Sequence, residues 1–118
     1  MANAFTKDDI TIAPGVMETI VALAATGVEG VAGTGHEWPG QSGFLKTLLA
    51  PKAPSGVSIL EEDGNITVEL HIQVFFGYKL FDVAAAVRSA VANAIDAQTG
   101  VIVSNVNVFI DSIKPVSQ

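Results

Sequence analysis

The stretch Val57-Ser58-Ile59-Leu60-Glu61-Glu62-Asp63-Gly64-Asn65-Ile66-Thr67-Val68-Glu69-Leu70-His71-Ile72-Gln73-Val74 reads as two strands joined by a tight turn. Asp63-Gly64 favours a two-residue type I′ turn, whose central residues both need positive φ. That turn pairs Ile59 with Val68 and Val57 with Leu70. It puts Ile66, Val68, Leu70, Ile72 and Val74 on one face with Val57 and Ile59. Thr67, Glu69, His71 and Gln73 take the other face. Turn chemistry and hydrophobic alternation therefore select the same register. A sheet with one buried and one polar face follows.

Downstream, residues 79–98 carry apolar groups at helical spacing. Leu80, Val83, Ala84, Val87, Val91, Ala94 and Ile95 form one stripe, and Asp82, Ser89, Asn93 and Asp96 the opposite one. Gly100 ends this helix. A last strand over 101–111 puts Ile102, Val106, Val108 and Ile110 on one face. Asn105, Asn107, Phe109 and Asp111 take the other.

Upstream, Ile10-Thr11-Ile12 reads as a short strand, and Pro14 suits the first turn of a helix, where its missing N–H is no loss. On a helical wheel Val16, Ile20 and Leu23 form an apolar face widened by Met17 and Ala24. Glu18, Ala22 and Ala25 lie opposite, a face without enough charge to repel a close neighbour. Gly27 is expected to stop the helix in a left-handed cap. Glycines 30, 33 and 35 make Val28–Ala32 a short or bulged strand. Residues 33–43 form a glycine-rich loop, and Ser42 can cap a short helix, Phe44–Ala50, ended by Pro51 and Pro54.

The expected order is β-α-β-(short α)-β-β-α-β. It makes an α+β two-layer sandwich, with one mainly antiparallel sheet and two long helices packed on one face. The domain spans 10–113, between a flexible tail at 1–9 and a second tail at 114–118. At 118 residues, 49% of them hydrophobic, the chain can bury a sizeable core in one domain. It has no cysteine, which removes disulfides, thiolate catalysis and cysteine metal sites. No signal peptide or membrane span is expected, since Lys7, Asp8 and Asp9 charge the start and Glu18 interrupts the first helix. Net charge is −6, with six basic residues that form no run. Phosphate-driven nucleic-acid binding and direct docking on anionic lipid are therefore not expected.

Three segments together resemble the alkaline shock protein family of Gram-positive bacteria, the envelope stress response proteins. They are Ile12-Ala13-Pro14 with the following helix and Val28-Glu29-Gly30-Val31-Ala32-Gly33; Ile66–Ile72 with Gly77-Tyr78; and helix 82–97 leading to Thr99-Gly100-Val101, Val103 and Val106-Asn107-Val108. The likeness runs over about residues 10–113. It implies a non-enzymatic cytoplasmic protein that self-associates and gathers beneath the membrane through a separate membrane-anchored protein. The alternative it allows is a regulatory binding module that controls a metabolic enzyme, such as one of fatty-acid synthesis. The family supplies no catalytic residues, and no cofactor or metal is implied. The region around His36-Glu37-Trp38-Pro39 and Phe44–Leu49 has no counterpart in the resemblance.

His36 and His71 are the two histidines, and a metal would need both with carboxylates; solvated or locally hydrogen-bonded rings are the plain reading. Glu61-Glu62-Asp63 alternate across a strand, so their carboxylates diverge and read as a solvated turn. Gly33-Thr34-Gly35 lacks the rest of any phosphate-binding motif. The stronger signals concern association. Trp38, Phe44, Leu45, Leu48 and Leu49 concentrate large apolar groups in a segment otherwise built for exposure. They form either a partner surface or a short helix folded over a sheet edge. Phe75 and Phe109 are expected on the polar sheet face, where open strand edges can also pair between chains.

Overall fold

A computed structural model describes residues 5–13, 15–35 and 56–116 of the chain. Pro14, His36, Trp38 and the Phe44–Leu49 segment with its expected short helix lie outside the described residues. The architecture is the expected two-layer α+β arrangement, with two helices on one face of a sheet. Its elements are β1 (Phe5–Lys7), β2 (Ile10–Ile12), α1 (Val16–Thr26), β3 (Val31–Thr34), β4 (Val57–Glu62), β5 (Asn65–Phe75), α2 (Leu80–Thr99) and β6 (Asn105–Lys114).

The β4–β5 hairpin forms in the register its turn dictates. Ile59 faces Val68, Val57 faces Leu70, and Asp63 and Gly64 hold φ of 52° and 81°. β5 is the middle strand. β6 runs parallel to it, the exception in an otherwise antiparallel sheet. A parallel neighbour needs a crossover, and α2 supplies it. On the helix side Ile66, Val68, Leu70, Ile72 and Val74 of β5 are buried against Val83, Val87, Val91 and Ile95 of α2 and Met17, Val21 and Ala25 of α1.

Several expectations need correction. The tail expected over residues 1–9 is structured from residue 5: β1 pairs with β2, with Phe5 opposite Ile12. Asp8 and Asp9 both take positive φ, 53° and 66°, so two aspartates make a turn for which glycine is the usual signal. At the other end Lys114 completes β6 instead of opening a tail. β6 starts at Asn105, not Val101, and Ile102 is exposed.

The inward face of α1 is also rotated from the expected one. Met17, Val21 and Ala25 point inward, while Leu23 is 68% exposed and Val16 is exposed too. Glu18 is buried, and its Oε1 accepts the Gly15 N–H at 3.1 Å, closing the first turn on itself. Gly27 is right-handed, with φ −79°. The positive φ falls instead on Gly30, 99°, where an added Cβ would sit 2.9 Å from the Tyr78 ring and 3.0 Å from Val83 Cγ2. Gly30 thus answers both a backbone and a space requirement.

Candidate interaction surface

The face of β5 turned away from the helices carries Thr67, Glu69, His71, Gln73 and Phe75, as the alternation requires. His71 is held on two sides. Its ring stacks on Phe109, centroids 4.7 Å apart and planes 16° from parallel. Its Nδ1 donates to the Asp111 carboxylate, 2.9 Å from Oδ2 and 3.1 Å from Oδ1. A bulge in β6 brings this about. The ladder passes from Ile72 opposite Ile110 to Gln73 opposite Ser112, leaving Asp111 as the extra residue. The bulge aims the Asp111 carboxylate across the strand at His71. Phe75 and Phe109 share this face, Phe75 beside Lys114 and Phe109 beside His71 in the ladder.

β3 and β4 lie end to end along the other side of β5. β3 pairs with residues 72–74 and β4 with 65–70, and both run antiparallel to β5. Their ends meet at His71: the Gly35 N–H donates to the His71 carbonyl at 2.9 Å, and the His71 N–H donates to the Gly56 carbonyl at 2.8 Å. Buried Gln73 ties the same point down, its Nε2 donating to the Gly35 carbonyl at 2.8 Å. An ideal Cβ on Gly56 would lie 2.5 Å from Gly35 Cα. The two α-carbons are therefore within about 4 Å, near the spacing of consecutive residues. The interrupted strand thus ends at Gly35 and resumes at Gly56 at the same place on β5.

The third feature is a groove of about 620 Å³ between the start of α2 and the outer side of β6. Leu80, Phe81 and Ala84 form one wall, and Val108, Phe109, Ile110 and Ile113 the other, with Asp111 and Ser112 at the β6 bulge completing the lining. A smaller extension continues along Ala85, Arg88 and Val106. Phe81 is 89% exposed, and Phe109 and Ile113 are also exposed. Helical periodicity does not single out Phe81, because it lies off the apolar stripe. Its signal was a large aromatic lying off that stripe, about 100° from Leu80 on the wheel.

Of the expected interaction residues, Phe75 and Phe109 are placed on one face, Phe75 half-buried and Phe109 exposed. Trp38, Phe44, Leu45, Leu48 and Leu49 fall outside the described residues. Glu61, Glu62 and Asp63 are all exposed at the β4–β5 turn. Among the described residues no three His, Asp or Glu side chains converge as a metal site would need.

Comparison with known proteins places these features in a lineage. The model of the alkaline shock protein 23 family, described by a cell envelope-related function, matches residues 3–115. Spy1535 of Streptococcus pyogenes serotype M6 is 31% identical over 106 residues, 89% of this chain and 78% of that protein. Spy1614 of the same organism is 27% identical over 114 residues, covering 96% and 94%. YqhY of Bacillus subtilis strain 168 is 28% identical over 105 residues, covering 89% and 76%. Among solved structures, a variant of the MamM C-terminal domain superposes with a TM-score of 0.48 at 17% identity, over 81% of this chain and 92% of that one.

Proposed function

Since the chain belongs to the alkaline shock protein 23 family, whose function is related to the cell envelope, we propose that it is a non-enzymatic envelope stress response protein. It works by associating with copies of itself and by binding a membrane-anchored partner. The observation that supports this reading is the gathering of Phe81, Phe109 and Ile113 around one apolar groove on the outside of the domain. Scattered exposed apolar residues are ordinary, but a contiguous patch on an open strand edge is what a protein interface looks like before it is covered. Among the described residues no helix is long and apolar enough to cross a membrane. In this reading contact with the envelope runs from the cytoplasmic side through the partner. Trp38 and Phe44–Leu49 add a second apolar group, carried by the segment that leaves the sheet at Gly35 and rejoins it at Gly56.

The test is affinity capture of the full chain from native cytosolic and membrane fractions, read by mass spectrometry. Size analysis of the purified protein accompanies it. An oligomer that retains an integral membrane protein is the expected result. A strictly monomeric chain that retains no membrane protein would overturn the reading. Recovery of a soluble biosynthetic enzyme, with no membrane protein, would transfer the proposal to a regulatory module acting on metabolism.

A further inference from the structure

The two outer edges of the main sheet are built differently. β4 ends in Glu61 and Glu62, followed by Asp63, all of them exposed. Two copies presenting that edge to each other would set carboxylates side by side, a common way in which natural sheets keep edges apart. Before its bulge β6 runs Asn105-Val106-Asn107-Val108-Phe109-Ile110, with no charged residue and no proline. Among the described residues only β5 pairs with it. A short, uncharged, β-branched and aromatic edge is a template that another strand can extend.

From this edge and the groove beside it, we infer that the chain pairs with a second copy of itself through β6, antiparallel about a two-fold axis. The inference rests on the self-associating reading above and names its surface. Charge selects the occupant. With a net charge of −6, copies meet most easily where carboxylates are few. Asn105–Ile110 is uncharged, and the helix wall of the groove adds a single charge, the cation Arg88. The one carboxylate that lines the groove, Asp111, is engaged by His71.

An axis at Asn107, set opposite its own copy, puts Val106 opposite Val108 and Asn105 opposite Phe109, each pair on one face of the sheet. The same uncharged residues then serve both copies, as an isologous contact requires. Phe81 flanks this edge on the helix side and Phe109 on the other, so pairing covers exposed aromatics on both faces. Ala84 and Ala85 leave room along the wall for a neighbour's side chain.

The experiment uses the full chain in native mass spectrometry and analytical ultracentrifugation, with Asn107→Lys, Phe81→Glu and, as a control, Leu60→Lys on the exposed side of β4. Asn107→Lys brings two ammonium groups close to the axis, and Phe81→Glu puts a carboxylate on the covered face. Each is expected to weaken dimerisation by about tenfold or more while Leu60→Lys leaves it unchanged. Phe81 is so exposed that its replacement gives a folded test protein even if Asn107→Lys perturbs the strand.

Because the chain has no cysteine, the single variants Asn105→Cys and Asn107→Cys can carry one spin label each. In an antiparallel pair the offset along the strands grows by about 7 Å for each residue moved from the axis, so the residue-105 labels, about 14 Å apart along the strands and about 5 Å across, should be separated by about 10 Å more than the residue-107 labels, which face each other. An oligomer unaffected by either β6-side variant would overturn the inference and leave the self-associating reading standing. A strictly monomeric wild-type chain would overturn both. A chain that carries a foreign protein on this edge, released by Asn107→Lys, would assign the edge to that protein and overturn the second-copy inference.

Discussion

α1 and α2 lie on the same face of the same sheet but hold to it differently. α2 sends Val83, Val87, Val91 and Ile95 inward, four aliphatic groups spread along twenty residues. α1 has eleven residues and sends in Met17, Val21 and Ala25, the last no larger than a methyl group. It also tucks the Glu18 carboxylate back onto its own first turn and leaves Leu23 outside. Long periodic burial is enough to set the rotation of α2. A short helix with apolar residues on most of its faces is set as much by its cap as by its core contacts.

Substitutions can break or sharpen that comparison. The largest effect is expected for Val87→Asp, which puts an unpaired carboxylate at a fully buried site. The cost of several kcal/mol is comparable to the roughly 5–15 kcal/mol reserve of a small domain. A cooperative circular dichroism melt at the wild-type temperature would show that α2 does not hold the sheet as described. Met17→Ala is expected to cost about 2–5 kcal/mol in urea titration, because the site is fully buried and a cavity remains. Glu18→Ala should cost about 0.5–2 kcal/mol, the range for a lost cap, read from the same titration. A much smaller value would mean that core contacts alone orient α1. Leu23→Ala should shift the midpoint by no more than about 0.5 kcal/mol. A loss as large as that of Met17→Ala would turn α1 back to the Val16/Ile20/Leu23 face and erase the contrast.

The same contrast explains how far the fold could be read from residues. The β4–β5 hairpin was legible because Asp63-Gly64 and the alternation from Ile66 to Val74 speak for one register. The α2 stripe was legible because Asp82, Ser89, Asn93 and Asp96 mark its solvent side. α1 misled because its central run, Ile20–Ala25, holds no polar residue to mark a solvent side, so the wheel could favour the bulkier Leu23 over Ala25. The turn at Asp8-Asp9 carries no glycine, and β1 therefore read as tail. At the surface, the shared face of Phe75 and Phe109 followed from alternation. The His71–Asp111 bond did not, since it joins residues forty apart through a parallel ladder and a bulge, neither of which leaves a local mark. Phe81 lies off the apolar stripe, so periodicity gives it no role.

The meeting of Gly35 and Gly56 has a consequence for how such a chain can change. Gly35 and Gly56 each hydrogen-bond directly to His71, so the sheet's hydrogen bonds do not depend on how many residues the chain carries between those two glycines. Doubling the length of a closed, flexible segment costs only about 0.6 kcal/mol. That position can serve as a socket, accepting segments of different length and character while β3, β4 and β5 stay in register. One domain can then present different faces to different partners by exchanging what is plugged in between two glycines.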